Sequence, residues 1–206
     1  MKLIQKIKVC KVCFKQFTEF NMVNFLHPDN DLCYECLSCF IPIFENTKTQ
    51  NEKTLILYEY NDFLKNTLYK LKGNGDIEIA SIFLSSIYLF LKLKYFGYLI
   101  VLVPSFIQRE KERGFNHLSE IFKILKIPMI SPLIKINDRK QSDLNLEERK
   151  KIQDYIIWDE NFNIKNKKIL LVDDVITSGS TLNACLNLVK KHQPKKIQIL
   201  VISKAT

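Results

Sequence analysis

Two carboxylates and a run of hydroxyl groups follow one short apolar stretch in the C-terminal part of the chain. Residues 169 to 172 form a continuous apolar run, typical of a strand buried on both faces, and Asp173 and Asp174 come directly after it. Before the next apolar helical pattern the chain reads Thr177, Ser178, Gly179, Ser180 and Thr181. Hydroxyl groups and the unpaired N–H groups of a helix start stabilise an anion, and a glycine lets the backbone approach it closely. The order of residues therefore predicts an anion site at the end of a strand.

The acidic pair restricts which anion this site can hold. Carboxylates beside a phosphate repel it unless they face another part of the ligand, such as vicinal hydroxyls, or share a divalent cation with it. A ribose 5-phosphate satisfies both conditions. The alternative is an ordinary strand–loop–helix connection, with a Ser or Thr at the helix N-cap and an acidic strand end.

Residues 1 to 45 carry five of the six cysteines. Two C-x-x-C pairs, separated by nineteen residues, have the spacing at which four thiolates surround zinc. The four predicted ligands are Cys10, Cys13, Cys33 and Cys36. Cys39 forms a further C-x-x-C pair with Cys36, and His27 is another candidate ligand, but we favour the first four. An iron–sulfur cluster is the minor alternative, and disulfides fit poorly in a chain without an export signal.

The cysteine segment is predicted to be a small module separate from the rest of the chain. A segment this short buries little core, so metal binding would supply much of its folding free energy. The polar residues 46–53 are predicted to link it to the remainder. The predicted organisation is a four-cysteine zinc-finger module at 1–45, a linker at 46–53 and an α/β domain at 54–206.

Residues 54–206 show the pattern of a parallel sheet flanked by helices. The predicted strands are 54–60, 98–103, 128–136, 169–172 and 197–202, and the predicted helices are 62–71, one long apolar helix ending near Tyr95, 116–125 and 180–191. A strand–helix–strand ending fits a right-handed parallel crossover. Cys185, alone on the last helix, is predicted to be a buried apolar residue.

The segment VDDVITSGST at 172–181 resembles the phosphoribosyl-diphosphate (PRPP) binding motif of type I phosphoribosyltransferases. The resemblance implies the type I phosphoribosyltransferase fold. It further implies that Asp173 and Asp174 hold the ribose hydroxyls of PRPP, which binds with Mg²⁺, and that Thr177 to Thr181 hold its 5-phosphate.

A second motif narrows the resemblance. The strand predicted to end at Val103 runs into Pro104 and a charged loop that ends in RGFN at 113–116. Together with the cysteine pairs, this resembles the ComF family of competence-associated phosphoribosyltransferase-like proteins. The resemblance implies that the loop holds pyrophosphate and that Arg113 acts with the two aspartates in catalysis. The residues implied for the pyrophosphate loop are Pro104, Ser105, Arg109 and Lys111, and the alternative for this segment is a solvated, charged helix start.

The polar segment after residue 136 is where the family has a flexible loop that closes over PRPP. Gln141 and Arg149 match the family pattern there. Ile152 stands where many relatives have Asn, and the proline expected before Gln141 is missing. A hydrophilic connection with a short charged helix is the plainer interpretation of this segment.

The resemblance implies a competence protein that binds PRPP and Mg²⁺ and assists the import or handling of single-stranded DNA in natural transformation. The implied partners are PRPP, single-stranded DNA and competence-machinery proteins such as a DNA-import helicase or ATPase. The alternative is a metabolic phosphoribosyltransferase that transfers phosphoribosyl from PRPP to a base or amine. Four aromatic residues near the cysteines either stack on DNA bases or fill the core of the small module, and we favour the core: Phe14, Phe17, Phe20 and Phe25.

Composition agrees with these functions without choosing between them. The net charge of +9, from 31 Lys and Arg against 22 Asp and Glu, permits attraction to nucleic acid, phosphates or anionic lipid. The N-terminus lacks the pattern of a signal peptide, and the longest apolar run, 79–91, is too short to span a bilayer. We therefore expect a cytoplasmic protein without a membrane span, either free or peripheral to the inner face of the membrane.

Overall fold

The computed structural model of the protein describes residues 7–18, 31–136 and 156–205. Its centre is a six-stranded sheet made of β3 (Pro42–Thr49), β4 (Glu52–Tyr58), β5 (Leu99–Leu102), β6 (Met129–Ile130), β9 (Lys168–Ile176) and β10 (Lys196–Lys204). The strands lie side by side in the order β3-β4-β10-β9-β5-β6. All neighbours pair in parallel except β3, which pairs antiparallel with β4 at one edge. The predicted parallel sheet is thus present, with one antiparallel edge strand.

The helices described are α1 (Tyr34–Ser38), α2 (Asp62–Gly73), α3 (Tyr88–Lys94), α4 (Ile107–Arg113), α5 (His117–Phe122) and α6 (Ser180–Lys191), with 3-10 helices at Ile77–Phe83 and Lys123–Leu125. Side-chain caps begin two of them, because Asn61 accepts from the N–H of Leu64 and Asn116 accepts from the N–H of Ser119. Within the described ranges, none of the helices is both long enough and apolar enough to cross a lipid bilayer.

Three predicted elements are different in the structure. The long apolar helix is broken into the 3-10 helix Ile77–Phe83 and α3, and the charged segment predicted as a loop after Ser105 forms α4. The predicted strand 128–136 is divided between β6 in the main sheet and β7 (Leu133–Lys135). β7 pairs antiparallel with β8 (Ile156–Trp158), so the chain leaves the main sheet after two residues of β6.

Residues 46–53 do not form the predicted linker. They belong to β3, β4 and the turn between them, which make an antiparallel hairpin with Thr49 opposite Glu52. The polar composition that suggested a linker reflects an edge strand, because most of β3 is exposed to solvent.

The cysteine segment packs directly on the α/β domain. Its strands β1 (Ile7–Val9) and β2 (Gln16–Thr18) form a small antiparallel sheet. The ring of Phe40 lies 5.3 Å from the rings of both Tyr58 and Phe63 and 5.8 Å from that of Phe83. The side-chain amide of Asn61 also donates to the carbonyl of Cys39 at 2.9 Å. One continuous apolar core therefore joins the cysteine segment to the main sheet.

The sheet opens a crevice between β5 and β9. From β9 the chain passes through α6 to β10 on one side, whereas from β5 it passes through α4 and α5 to β6 on the other. β5 pairs with β9 only as far as Val172, but β10 pairs with β9 as far as Ile176. Among the described residues, no strand pairs with the last four residues of β9 on the β5 side, which is the position where open α/β sheets bind ligands.

Candidate functional site

The crevice brings most of the predicted ligand-binding residues into one pocket. This pocket has a volume of about 210 Å³. The predicted residues that line it are Pro104, Ser105, Arg109, Arg113, Asp173, Asp174, Thr177, Ser178, Gly179, Ser180 and Thr181. Lys111, in contrast, is exposed on α4 and does not line the pocket. Gln141, Arg149 and Ile152 lie outside the residues that the structure describes.

The loop from Thr177 to Thr181 has the geometry of an anion cradle. Gly179 is the N-cap of α6 and adopts the left-handed conformation, with φ of 72°, which strains any residue with a β-carbon. The hydroxyl of Ser178 lies 2.6 Å from that of Ser180 and accepts from the N–H of Ser180 at 3.4 Å. A hydrogen bond that long is weak, so a phosphate oxygen can replace it at the helix start.

The two aspartates differ sharply in their surroundings. Asp174 is only 5% exposed, and its Oδ2 is paired with Lys72 and lies 2.7 Å from His117 Nε2. Its Oδ1 accepts from the N–H of Val175 at 2.6 Å. Asp173 is partly exposed and uses Oδ1 to accept from the N–H of Asp174 at 2.9 Å. Asp173 is therefore available to a ligand, whereas the carboxylate of Asp174 is engaged by the protein itself.

Asp174 belongs to a closed ring of polar contacts. Arg113 Nη1 lies 3.1 Å from His117 Nδ1, and Arg113 Nε donates to the carbonyl of Lys72 at 2.9 Å. Lys72 and His117 both contact Asp174, which closes the ring across α2, α4, α5 and β9. Because a guanidinium only donates, His117 Nδ1 must accept, and its Nε2–H then donates to Asp174. The ring requires a neutral His117.

The charges in the ring shift the pKa values of its members. Burial lowers the pKa of His117, and the positive charges of Lys72 and Arg113 lower it further against the opposing effect of Asp174. Burial raises the pKa of Asp174, but the charge of Lys72 and the hydrogen bond from His117 outweigh it and hold that pKa below its usual range. Burial and the charge of Asp174 raise the pKa of Asp173 to about 7. The structure thus separates an ionised Asp174 from an Asp173 that titrates near neutrality.

Cationic side chains outnumber carboxylates among the residues that line the pocket. The four cations are Lys72, Arg109, Arg113 and Lys135, against the two aspartates. The ring of Phe106 contacts two of these cations, with its centroid 4.1 Å from Lys135 Nζ and 5.3 Å from Arg109 Cζ. A pocket with this balance of charge attracts an anionic ligand.

Sequence reasoning did not identify His117 or Lys135 as residues of the site. His117 directly follows the RGFN motif, so its position beside a matched motif was an available signal. Lys135 reaches the pocket from β7, which is distant in sequence from both motifs, and no local pattern marks it.

The four predicted metal ligands lie together. The Sγ atoms of Cys10, Cys13, Cys33 and Cys36 are all within 4.8 Å of one another, and those of Cys13 and Cys33 are 3.6 Å apart. A tetrahedral zinc ion with bonds of about 2.3 Å needs sulfur separations of about 3.8 Å, so the cluster fits zinc. Cys39 instead donates from Sγ to the carbonyl of Glu35 at 3.2 Å. His27 lies outside the described residues.

The remaining predicted residues near the cysteines have mixed positions. Phe14 is 71% exposed, whereas Phe17 packs against the apolar core. Phe20 and Phe25 lie outside the described residues. Cys185 is fully buried on α6, as predicted.

Comparison with known proteins agrees with this geometry. The phosphoribosyl transferase domain family matches residues 111–205. Competence protein ComFC of Bacillus subtilis is 31% identical to this chain, over 85% of this chain and 85% of that protein. Competence protein ComFC of Streptococcus pneumoniae is 26% identical, over 92% of this chain and 83% of that protein.

Among solved structures, a hypoxanthine phosphoribosyltransferase from Staphylococcus aureus is similar with a TM-score of 0.42 and 15% identity, covering 62% of this chain and 64% of that one. The domain match, the parallel sheet and the strand–loop–helix pocket together identify a type I phosphoribosyltransferase fold. From the identity to ComFC over most of its length, we conclude that the chain belongs to the ComF family of competence proteins.

Proposed function

We propose that this phosphoribosyltransferase-like competence protein binds PRPP with Mg²⁺ in the crevice between β5 and β9. The observation that carries the proposal is the pocket itself, in which a phosphate-type helix start, one available carboxylate and several cations face a common space. PRPP has the matching parts, because it carries a phosphate at one end, vicinal hydroxyls in the middle and a pyrophosphate at the other end.

Each part of the pocket has a distinct task in this proposal. The loop from Thr177 to Thr181 and the N–H groups at the start of α6 bind the 5-phosphate. Asp173 accepts hydrogen bonds from the ribose hydroxyls. Arg109 and Lys135, beside Phe106, neutralise the pyrophosphate.

We extend the proposal to phosphoribosyl transfer onto a base or amine. The anomeric C–O bond to pyrophosphate breaks as the acceptor nitrogen bonds to that carbon, the nitrogen releases its proton to solvent, and no nucleophile from the protein is needed. Mg²⁺ bound with PRPP would offset the negative charge that develops on the leaving pyrophosphate. The residues of this chain hold the ribose in place and stabilise the charge that develops on the leaving group.

Calorimetric titration with PRPP and Mg²⁺ tests the nucleotide site. Asp173→Asn removes the charge from the available carboxylate, and a charged hydrogen bond is worth about 1.5–3 kcal/mol, so we expect affinity to fall by roughly 10- to 150-fold. Asp62→Asn, at the exposed start of α2, is the matched control and should leave the affinity unchanged. Equal affinity of the Asp173 variant and the wild type would contradict the assignment.

We also propose that the protein handles single-stranded DNA in natural transformation, together with an import helicase or ATPase at the cytoplasmic face of the membrane. The names of the ComFC relatives and the net charge of +9 support this part. Log affinity for single strands should fall linearly as log salt rises. Absence of binding even at low salt would refute this part and leave the nucleotide site untouched.

We propose a structural zinc ion for the cysteine module at 1–45. The four clustered thiols can form a closed tetrahedral site without an open position for a substrate. Because Cys10, Cys33 and Cys36 are buried in the core shared with the α/β domain, the ion would stabilise the contact between the two.

A further inference from the structure

A groove lies at the edge of the sheet opposite the crevice, where β5, β9 and β10 begin. Its volume is about 450 Å³. The residues that line it are Gly97, Tyr98, Leu99, Pro128, Asn166, Lys167, Lys168 and Lys195. None of them is acidic, so the groove carries positive charge only.

Lysines from two connections meet at this groove. The N–H of Lys195 donates to the carbonyl of Lys167 at 2.9 Å, and Lys196 lies opposite Lys168 in the pairing of β10 with β9. Lys165 precedes them on the same exposed connection as Lys167. All five lysines are exposed, and none forms an ion pair with a carboxylate of residues 7–18, 31–136 or 156–205. Within those ranges no carboxylate neutralises the charge of this cluster, which attracts an external anion.

An exposed aromatic residue adjoins the lining of the groove in sequence. Phe96 is 82% exposed, and it immediately precedes Gly97 and Tyr98, which line the groove. Phenylalanine is usually buried, so a ring with this exposure is available to a partner. Lys168 Nζ also lies 5.9 Å from the ring of Tyr98, which brings the charged and aromatic parts together.

We propose that the groove and Phe96 form a binding site for single-stranded nucleic acid. The phosphates contact the lysines and an unpaired base stacks on Phe96, the combination by which proteins bind single strands without reading their sequence. Five lysines spread over two connections fit a chain of phosphates rather than one mononucleotide. This inference rests on the DNA-handling part of the proposed function and assigns a surface to it.

The groove and the PRPP pocket are far enough apart for both ligands to bind at once. β9 begins at Lys168 beside the groove and ends at Ile176 beside the pocket. At a rise of about 3.3 Å per residue, eight steps along the strand separate the two by about 26 Å. Changes at the groove should therefore leave PRPP binding intact.

Fluorescence anisotropy with a labelled single-stranded oligonucleotide, measured over a series of salt concentrations, tests the proposal. The groove variant carries Lys167→Gln, Lys168→Gln and Lys195→Gln. The control variant carries Lys48→Gln, Lys53→Gln and Lys65→Gln, three exposed lysines of β3, β4 and α2. Both variants lose the same charge, so only the location differs. Phe96→Ala removes the stacking ring without changing charge.

We expect the groove variant to bind the oligonucleotide at least about tenfold more weakly at low salt. Its log–log salt slope should decrease by about 2, at roughly 0.7 for each lost phosphate contact with a single strand. The control variant should stay within about twofold of wild type. Phe96→Ala should weaken binding about tenfold with the slope unchanged.

The other outcomes overturn the assignment. Equal weakening in the groove and control variants would show that only net charge matters. Wild-type affinity in the groove variant, with binding by the wild type intact, would place the DNA elsewhere and leave the proposed function standing. Absence of oligonucleotide binding by the wild type would refute both this site and the DNA-handling part of the proposed function. PRPP titration of every variant should match wild type, which establishes that each one is folded.

Discussion

Replacing His117 by leucine tests the ring of contacts around Asp174. The substitution keeps an apolar body of similar size but removes both hydrogen bonds of the imidazole. Asp174, 5% exposed, then loses the Nε2–H donor at 2.7 Å, and Arg113 Nη1 loses the acceptor Nδ1 while Arg113 Nε keeps the carbonyl of Lys72. Lys72 still pairs with Asp174, so the carboxylate stays ionised with one partner fewer.

The expected loss of stability follows from that one charged hydrogen bond. It is worth about 1.5–3 kcal/mol, a large part of the roughly 5–15 kcal/mol that holds a typical protein folded. For a chain of this length, 1 kcal/mol corresponds to about 2–4 °C in Tm, so Tm should fall by about 3–12 °C. Thermal and urea unfolding at about pH 7.5 measure the change.

His117→Gln is the matched control. The amide of glutamine offers an N–H donor to Asp174 and an oxygen to accept from Arg113, so we expect most of the stability to return. The two His117 variants should therefore differ in Tm, glutamine lying near wild type and leucine well below it. Wild-type stability in His117→Leu, or equal loss in both variants, would refute the role of the ring.

The pH dependence of the same variants gives a second measurement. Because the folded protein lowers the pKa of His117, the unfolded chain binds more protons as pH falls below about 6.5, and stability decreases there. His117→Gln lacks this titration. Between about pH 6.5 and 5, the unfolding free energy of wild type should therefore fall more than that of the variant. A constant difference would contradict a neutral, buried His117.

Two further predictions concern the metal cluster and the acidic pair. Metal analysis of Cys36→Ser should show the zinc content fall from about one equivalent to about none, and Tm should decrease. Cys39→Ser should retain the metal, because the Sγ of Cys39 bonds to the carbonyl of Glu35 instead. Equal loss of zinc in both variants would contradict the assignment of the four ligands. The pKa of Asp173 is raised to about 7, and the proposed ligand needs its ionised form, so affinity for PRPP with Mg²⁺ should increase as pH rises through 7. Calorimetry should show a smaller increase in Asp173→Asn, and identical pH profiles would exclude titration of this carboxylate.

The elements that the sequence predicted well are those with strong local patterns. The helix Ser180–Lys191 was predicted at its observed bounds, and the parallel β9–α6–β10 crossover is confirmed. The two strands contain the uninterrupted apolar runs 169–172 and 199–202, and the helix has a clear amphipathic repeat. The ComF family and the type I phosphoribosyltransferase fold are likewise confirmed, because the motifs that indicate them are contiguous in sequence.

The elements that it predicted badly depend on neighbours rather than on local pattern. Residues 46–53 look like a linker because an edge strand exposes most of its side chains, and only pairing with β4 makes them a strand. The apolar run after Glu78 is equally compatible with one long helix and with two shorter ones. Packing around it determines that the run divides at residues 84–87.

The sequence by itself determined the hydroxyl-rich loop 177–181 and the two cysteine pairs, because each of these patterns lies within a few neighbouring residues. It could not distinguish Asp173 from Asp174, which are the same residue type at adjacent positions. The tertiary structure alone decided that Asp174 is buried against Lys72 and His117 while Asp173 remains partly exposed in the pocket. The physical reason is that burial and charge are properties of the assembled elements, so side chains from α2, α5 and β9 acquire their roles only when the fold brings them together.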